Sequence, residues 1–192
     1  MDSTADRLKP MTGTILLVED EESDAFLMQR AASRAGIVNP IRVATDGRAA
    51  IDYLNGAGQF ANRKEFPLPC LVLLDLKLPY VMGLDVLKWI RRQPEVGVIV
   101  LMLSSSAAEA DVAAAYLLGA NGFLVKPSES DKLVDMVKAI KDYWLTHNSP
   151  PPGVSRPASG GGQVKSQAAV LAADGRSPPE PPSDTLQQGC RR

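Results

Sequence analysis

The chain has 192 residues, with 21 basic and 22 acidic side chains and a net charge of −1 at neutral pH, so it offers no basic footprint for general nucleic-acid binding. Its two cysteines, Cys70 and Cys190, make no disulfide framework, and no apolar stretch reaches membrane-spanning length. With no leader-like apolar core in Met1–Thr14, the expectation is a protein of a reducing cytoplasm that engages neither nucleic acid nor membrane.

Residues 1–12 read as an N-terminal extension. Ile15–Val18 is a short aliphatic run that predicts a strand, and it passes straight into Glu19 and Asp20. Ser23–Ala35 then carries Phe26, Leu27, Ala31 and Ala35 at helical spacing and stops at Gly36. Ile41–Ala44 predicts a second strand, ending in Thr45-Asp46-Gly47, which starts a helix over Arg48–Leu54. Asn55–Pro69 is polar and rich in Gly and Pro, and reads as a long loop. Leu71–Leu74, the third strand, runs into Asp75, and a helix follows over Leu84–Arg92. Val98–Leu103, the fourth strand, runs into Ser104. Beyond it, Ser106-Ala107-Ala108-Glu109 has the pattern of a capping box that opens a helix through Leu118, closed by Gly119. Gly122–Val125 runs into Lys126-Pro127. Ser128-Glu129-Ser130-Asp131 is a second capping-box pattern, opening a helix that carries Leu133, Val134, Val137, Ile140 and Trp144.

Five strand-helix repeats with short connections predict an α/β fold, a doubly wound five-stranded parallel sheet with its helices on both faces. The runs show little polar alternation, as expected of strands buried on both sides. The domain is placed at residues 13–148, with room for a proper core. Residues 149–192 hold eight of the fifteen prolines, the run Gly160–Gly162 and few aliphatics, and so predict a disordered Pro/Gly/Ser-rich tail rather than an output domain. Residues 1–148 keep 16 basic and 19 acidic side chains, a net charge of −3.

An open parallel sheet binds its ligand outside the carboxyl ends of its strands, where the strand order switches. The strand ends bring Glu19, Asp20, Asp75, Ser104 and Lys126 toward one edge. Three carboxylates, a hydroxyl and an ammonium can together hold a hard divalent cation and stabilise a phosphoryl group. Alone, each has an ordinary explanation: a strand-end acid commonly caps a helix, and Glu19-Asp20-Glu21-Glu22 would complement a helix dipole. Their arrival at the same end of four strands is what points to chemistry. Gly56-Ala57-Gly58-Gln59-Phe60-Ala61 fits a dinucleotide-loop spacing, but it follows a helix instead of a strand.

Ile15-Leu16-Leu17-Val18-Glu19-Asp20, Leu73-Leu74-Asp75-Leu76-Lys77-Leu78-Pro79 with Gly83 following, Leu101-Met102-Leu103-Ser104-Ser105 and Gly122-Phe123-Leu124-Val125-Lys126-Pro127 resemble the receiver domain of two-component response regulators over about residues 13–145. The Glu-Asp pair, the extended loop before the third strand and the lack of an effector segment are similar to the small phytochrome-associated regulators. The resemblance implies a flavodoxin-like (βα)5 fold in a single-domain regulator. It implies that Asp75 accepts a phosphoryl group from a sensor histidine kinase, of the phytochrome type by the finer likeness, with Mg²⁺ held by Asp20, Asp75 and the Lys77 carbonyl, and by Glu19 through water. Lys126 would neutralise a phosphoryl oxygen and Ser104 would donate to another. Ser104 and Phe123 take the switch positions, Lys77 and Ser106 the positions that tune hydrolysis, and the Lys126–Pro127 bond would be cis. Met82 stands where an acidic residue is frequent. The fourth helix, fifth strand and fifth helix would offer a homodimer face. Such a protein catalyses only its own phosphoryl transfer and slow autodephosphorylation. The rival class is a receiver-like protein-binding module that works without phosphorylation.

Overall fold

The structure is a computed structural model that describes residues 11–93 and 96–149. Most of the expected N-terminal extension and all but the first residue of the expected tail lie outside them. Five parallel strands form one sheet: β1 Ile15–Val18, β2 Ile41–Ala44, β3 Leu71–Asp75, β4 Ile99–Ser104 and β5 Gly122–Val125, in the spatial order β2-β1-β3-β4-β5. The helices are α1 Glu22–Arg34, α2 Gly47–Asn55, α3 Gly83–Arg91, α4 Glu109–Leu117 and α5 Ser130–Ile140. The doubly wound expectation therefore holds. No helix among the described residues is long and apolar enough to cross a membrane.

The side chains of a strand alternate between its two faces, and here both faces are cores. Ile15, Leu17, Leu71, Leu73, Leu101 and Leu103 pack under α1 and α5, against Met28, Ala31, Val134 and Val137. Leu16, Val18, Val72, Leu74, Val100 and Met102 pack on the other side, against Tyr53 of α2, Val86 and Leu87 of α3 and Ala115 of α4. Hence β1, β3 and β4 read as unbroken apolar runs. The edge strands differ from the expectation of burial on both faces: Arg42 of β2 and Val125 of β5 are exposed, because each edge has only one neighbour.

The helix starts also depart from expectation. α2 is capped as predicted, with Asp46 accepting from the Ala49 N–H at 2.8 Å. Neither capping box forms. α4 begins at Glu109 without a side-chain cap, because the 104–106 segment is turned toward the strand end, where the Ser106 N–H donates to Ser104 Oγ at 3.2 Å. α5 begins at Ser130, and Glu129 pairs with Lys132 at 2.7 Å instead of capping. α5 continues through a π-helical stretch, Lys141–His147, which carries Trp144.

The segment expected as a long loop is packed. Gly58–Phe60 forms a 3₁₀ turn, and Phe60 and Phe66 close on Tyr53 with ring centroids 5.2–6.0 Å apart. Arg63 donates to the carbonyls of Tyr53 (2.7 Å), Leu54 (2.6 Å) and Phe66 (3.2 Å), tying the end of α2, where Leu54 lacks a helical donor, to the segment that follows.

Candidate functional site

The strand order turns back between β1 and β3, so the carboxyl ends of these two strands flank the crevice. Val18 is level with Leu74, which sets Glu19 beside Asp75. Asp75 is level with Leu103 and Ser104 with Val125, which brings Ser104 and Lys126 to the same edge. The Lys126 N–H donates to the Ser104 carbonyl at 2.7 Å and fixes the start of the β5–α5 turn there.

Lys126 is the hub. Its Nζ lies 2.6 Å from Asp75 Oδ1, 2.6 Å from Glu19 Oε2 and 3.4 Å from Asp24 Oδ2. Glu19 is 3 % exposed, Asp75 6 % and Ser104 2 %, so charges buried beneath the surface face one another. Burial pushes the Glu19 carboxyl above its ordinary value, and the Lys126 contact opposes but does not cancel that rise. Burial alone would lower Lys126, yet its hydrogen bonds to Asp75 and Glu19 outweigh that and hold it firmly protonated. The other Asp75 oxygen, Oδ2, accepts from the Lys77 N–H at 2.6 Å, so both oxygens of this carboxylate are engaged.

The loop after β3 can come this close because Gly83 has no side chain. A Cβ there would overlap the Asp75 carbonyl, and the Gly83 N–H donates to the Leu76 carbonyl at 3.1 Å. Gly47 permits the same loop to lie on α2, where a Cβ would meet the Val81 backbone. Tyr80, at the loop tip, has φ +63° and is exposed.

The expected residues are thus partly gathered. Glu19, Asp75, Ser104 and Lys126 converge. Asp20 is exposed at the rim, and among the described residues no three His, Cys, Asp or Glu side chains meet at metal-binding spacing. Instead of three carboxylates around a metal ion, the structure sets two buried carboxylates and the half-exposed Asp24 around the Lys126 ammonium, which relieves their repulsion. That donor set still fits a hard cation, because it consists of carboxylate oxygens already arranged about a positive charge. Lys77 is exposed and meets Asp75 through its N–H. Ser106 is exposed, with its N–H on Ser104 Oγ, and Phe123 is half-buried against the α3–α4 core. The expected cis bond at Lys126–Pro127 is corrected: no described peptide is cis. Trans is the lower-energy isomer for an X–Pro bond, and Lys126 reaches both acids from it. Asp24 was missed, since an acid in the first turn of a helix is ordinary.

The family model described as response regulator receiver domain matches residues 15–138. The chain belongs to that family. Receivers accept a phosphoryl group from a sensor kinase as their general function. The probable methanogenesis regulatory protein FilR2 of Methanothrix harundinacea is 40% identical over 141 residues, covering 71% of this receiver and 86% of FilR2. Response regulator Rcp1 of Synechocystis is 38% identical over 132 residues, covering 68% of this receiver and 88% of Rcp1. The structure of Rcp1 in its Mn²⁺-bound form matches with a TM-score of 0.65 at 35% identity, over 72% of this receiver and 98% of that chain. The phosphorylated cyanobacterial phytochrome response regulator RcpA matches with a TM-score of 0.67 at 34% identity, over 72% and 97%.

Proposed function

We propose that this receiver takes its phosphoryl group on Asp75, from a sensor histidine kinase of the phytochrome type, in a Mg²⁺-dependent reaction. The observation that carries the reading is the Lys126 ammonium lying 2.6 Å from both Asp75 and Glu19 at the carboxyl edge of the sheet. In the transfer an Asp75 oxygen forms the new O–P bond, the N–P bond of the phosphohistidine breaks, and its electron pair returns to the imidazole. A carboxylate attacks a phosphoryl dianion poorly because like charges repel. Lys126 lowers that repulsion on the protein side, while the Lys77 N–H holds Asp75 Oδ2 and so fixes the carboxylate. Ser104 Oγ accepts from the Ser106 N–H, which leaves its own proton for a phosphoryl oxygen. Mg²⁺ bound by Glu19, Asp20, Asp75 and the Lys77 carbonyl would neutralise charge on the incoming group.

The kinase type is supported by the likeness to Rcp1 and RcpA. Beyond its own phosphoryl transfer and slow autodephosphorylation, which the long Lys77 side chain retards, the receiver signals by binding. Ser104 and Phe123 relay the change to the face of α4, β5 and α5, where Tyr116, Leu117 and Val125 are exposed apolar side chains, and a second copy docks there on phosphorylation. The cytoplasmic reading rests on charge and cysteine usage. The test is intact-mass measurement after incubation with acetyl phosphate and Mg²⁺, beside Asp75→Asn. One phosphoryl group that needs Mg²⁺ and is lost in the variant is expected. No adduct in either protein would sink the reading and leave a phosphorylation-independent binding module.

A further inference from the structure

An ammonium has three N–H donors, and that of Lys126 has three carboxylates around it. Two of them, Glu19 and Asp75, are buried and lie at 2.6 Å. The third, Asp24, stands on the first turn of α1 with its side chain 45% exposed and Oδ2 at 3.4 Å. The length and exposure of this contact make it a charge attraction at the solvent side of the site. Of the acids between Glu19 and the end of the first turn of α1, Asp20, Glu21 and Glu22 are exposed, and Asp24 turns back to the lysine. Phosphoryl transfer asks Lys126 to give an N–H to a phosphoryl oxygen, so an acceptor it holds at rest must release it.

We propose that Asp24 is a positioning residue for Lys126, one that competes with the incoming phosphoryl group for the ammonium and so slows loading of Asp75. The inference rests on the phosphoacceptor reading above. With acetyl phosphate as donor, an Asp75 oxygen forms the O–P bond, the acetyl O–P bond breaks, and its electron pair leaves on acetate. Asp24→Asn frees a share of the ammonium for that step. An exposed charge pair of this kind alters a rate by about two- to fivefold, so loading should accelerate by that factor.

The test is a double-mutant cycle on the full chain. Loading rates with acetyl phosphate are measured for the parent, Asp24→Asn, Lys126→Met and the double variant, and exchange of the Lys126 ammonium protons with water is followed by NMR in the parent and Asp24→Asn. Acceleration by Asp24→Asn in the parent but not in the Lys126→Met background, with faster ammonium exchange, is the expected result. Equal acceleration in both backgrounds would overturn the proposal, because Asp24 would then act as a plain repulsive charge. Unchanged loading with unchanged exchange would overturn it as well. If no variant took a phosphoryl group, the acceptor reading would fall. Faster exchange in Asp24→Asn would then still support the hold on Lys126, and unchanged exchange would overturn it.

Discussion

At the scale of single residues, the site is a balance between burial and charge pairing. Glu19 is buried beside Lys126 and its carboxyl is raised, with desolvation the larger cause. A raised carboxyl holds its proton longer in the folded than in the unfolded state. Its contribution to stability is therefore fully present below the unfolded value and lost as pH rises through the folded one. Glu19→Gln should flatten the metal-free stability profile as pH rises above the ordinary carboxylate range, which urea unfolding at a series of pH values would check; an unchanged slope would contradict it. Lys126→Met leaves two buried carboxylates without their cation and should cost about 3 kcal/mol at neutral pH. Acidification should recover part of that loss, because Glu19 then takes a proton. Glu19, Asp75, Ser104 and Lys126 were legible in the sequence because each follows an apolar run directly, and strand order does the rest. Asp24 was not, because nothing separates a helix-start acid facing solvent from one turned to a lysine until the partner is in place. The trans bond before Pro127 was equally hidden, since the dipeptide allows both isomers.

At the scale of elements, tight backbone approaches hold the site's shape. Gly83 lies where any Cβ would overlap the carbonyl of Asp75, so Gly83→Ala must move either α3 or the end of β3. The variant should load phosphoryl groups at least tenfold more slowly than the parent while keeping its circular dichroism. A parental rate would show that the approach does not position Asp75. The packed segment between α2 and β3 is a separate matter. Arg63→Ala would strand the Leu54 and Phe66 carbonyls and remove one of the two donors to Tyr53, at a cost of about 2 kcal/mol by urea unfolding, with loading unaffected because the segment does not touch the site residues. That segment read as a loop because Phe60 and Phe66 sit alone among polar, Gly and Pro residues, without a period to betray their packing. The capping boxes misled for the opposite reason. Ser106 and Asp131 fit a local pattern, but the strand-end hydroxyl takes the Ser106 N–H and Arg34 pairs with Asp131 instead.

At the scale of the whole molecule, a sheet with a core on each face makes a platform, and the buried charged cluster of Glu19, Asp75 and Lys126 lies at its carboxyl edge. The architecture was legible because fully buried parallel strands leave continuous apolar runs between helical spacings; the order β2-β1-β3-β4-β5 was not, because right-handed crossovers allow more than one order. The composition change after Asn148 carries its own expectation: limited proteolysis should leave a core ending near residue 148. The exposed Tyr116, Leu117 and Val125 predict that sedimentation will find a dimer with acetyl phosphate and a monomer without it; equal mass in both would reject the α4–β5–α5 face. The loading and dimerisation predictions depend on where the phosphoryl group goes. Borohydride reduces an aspartyl phosphate to homoserine, so reduction of the acetyl-phosphate-treated protein followed by peptide sequencing reads the acceptor directly. The account predicts homoserine at position 75 alone; homoserine at position 20, or at no position in a protein that has gained a phosphoryl group, would contradict it.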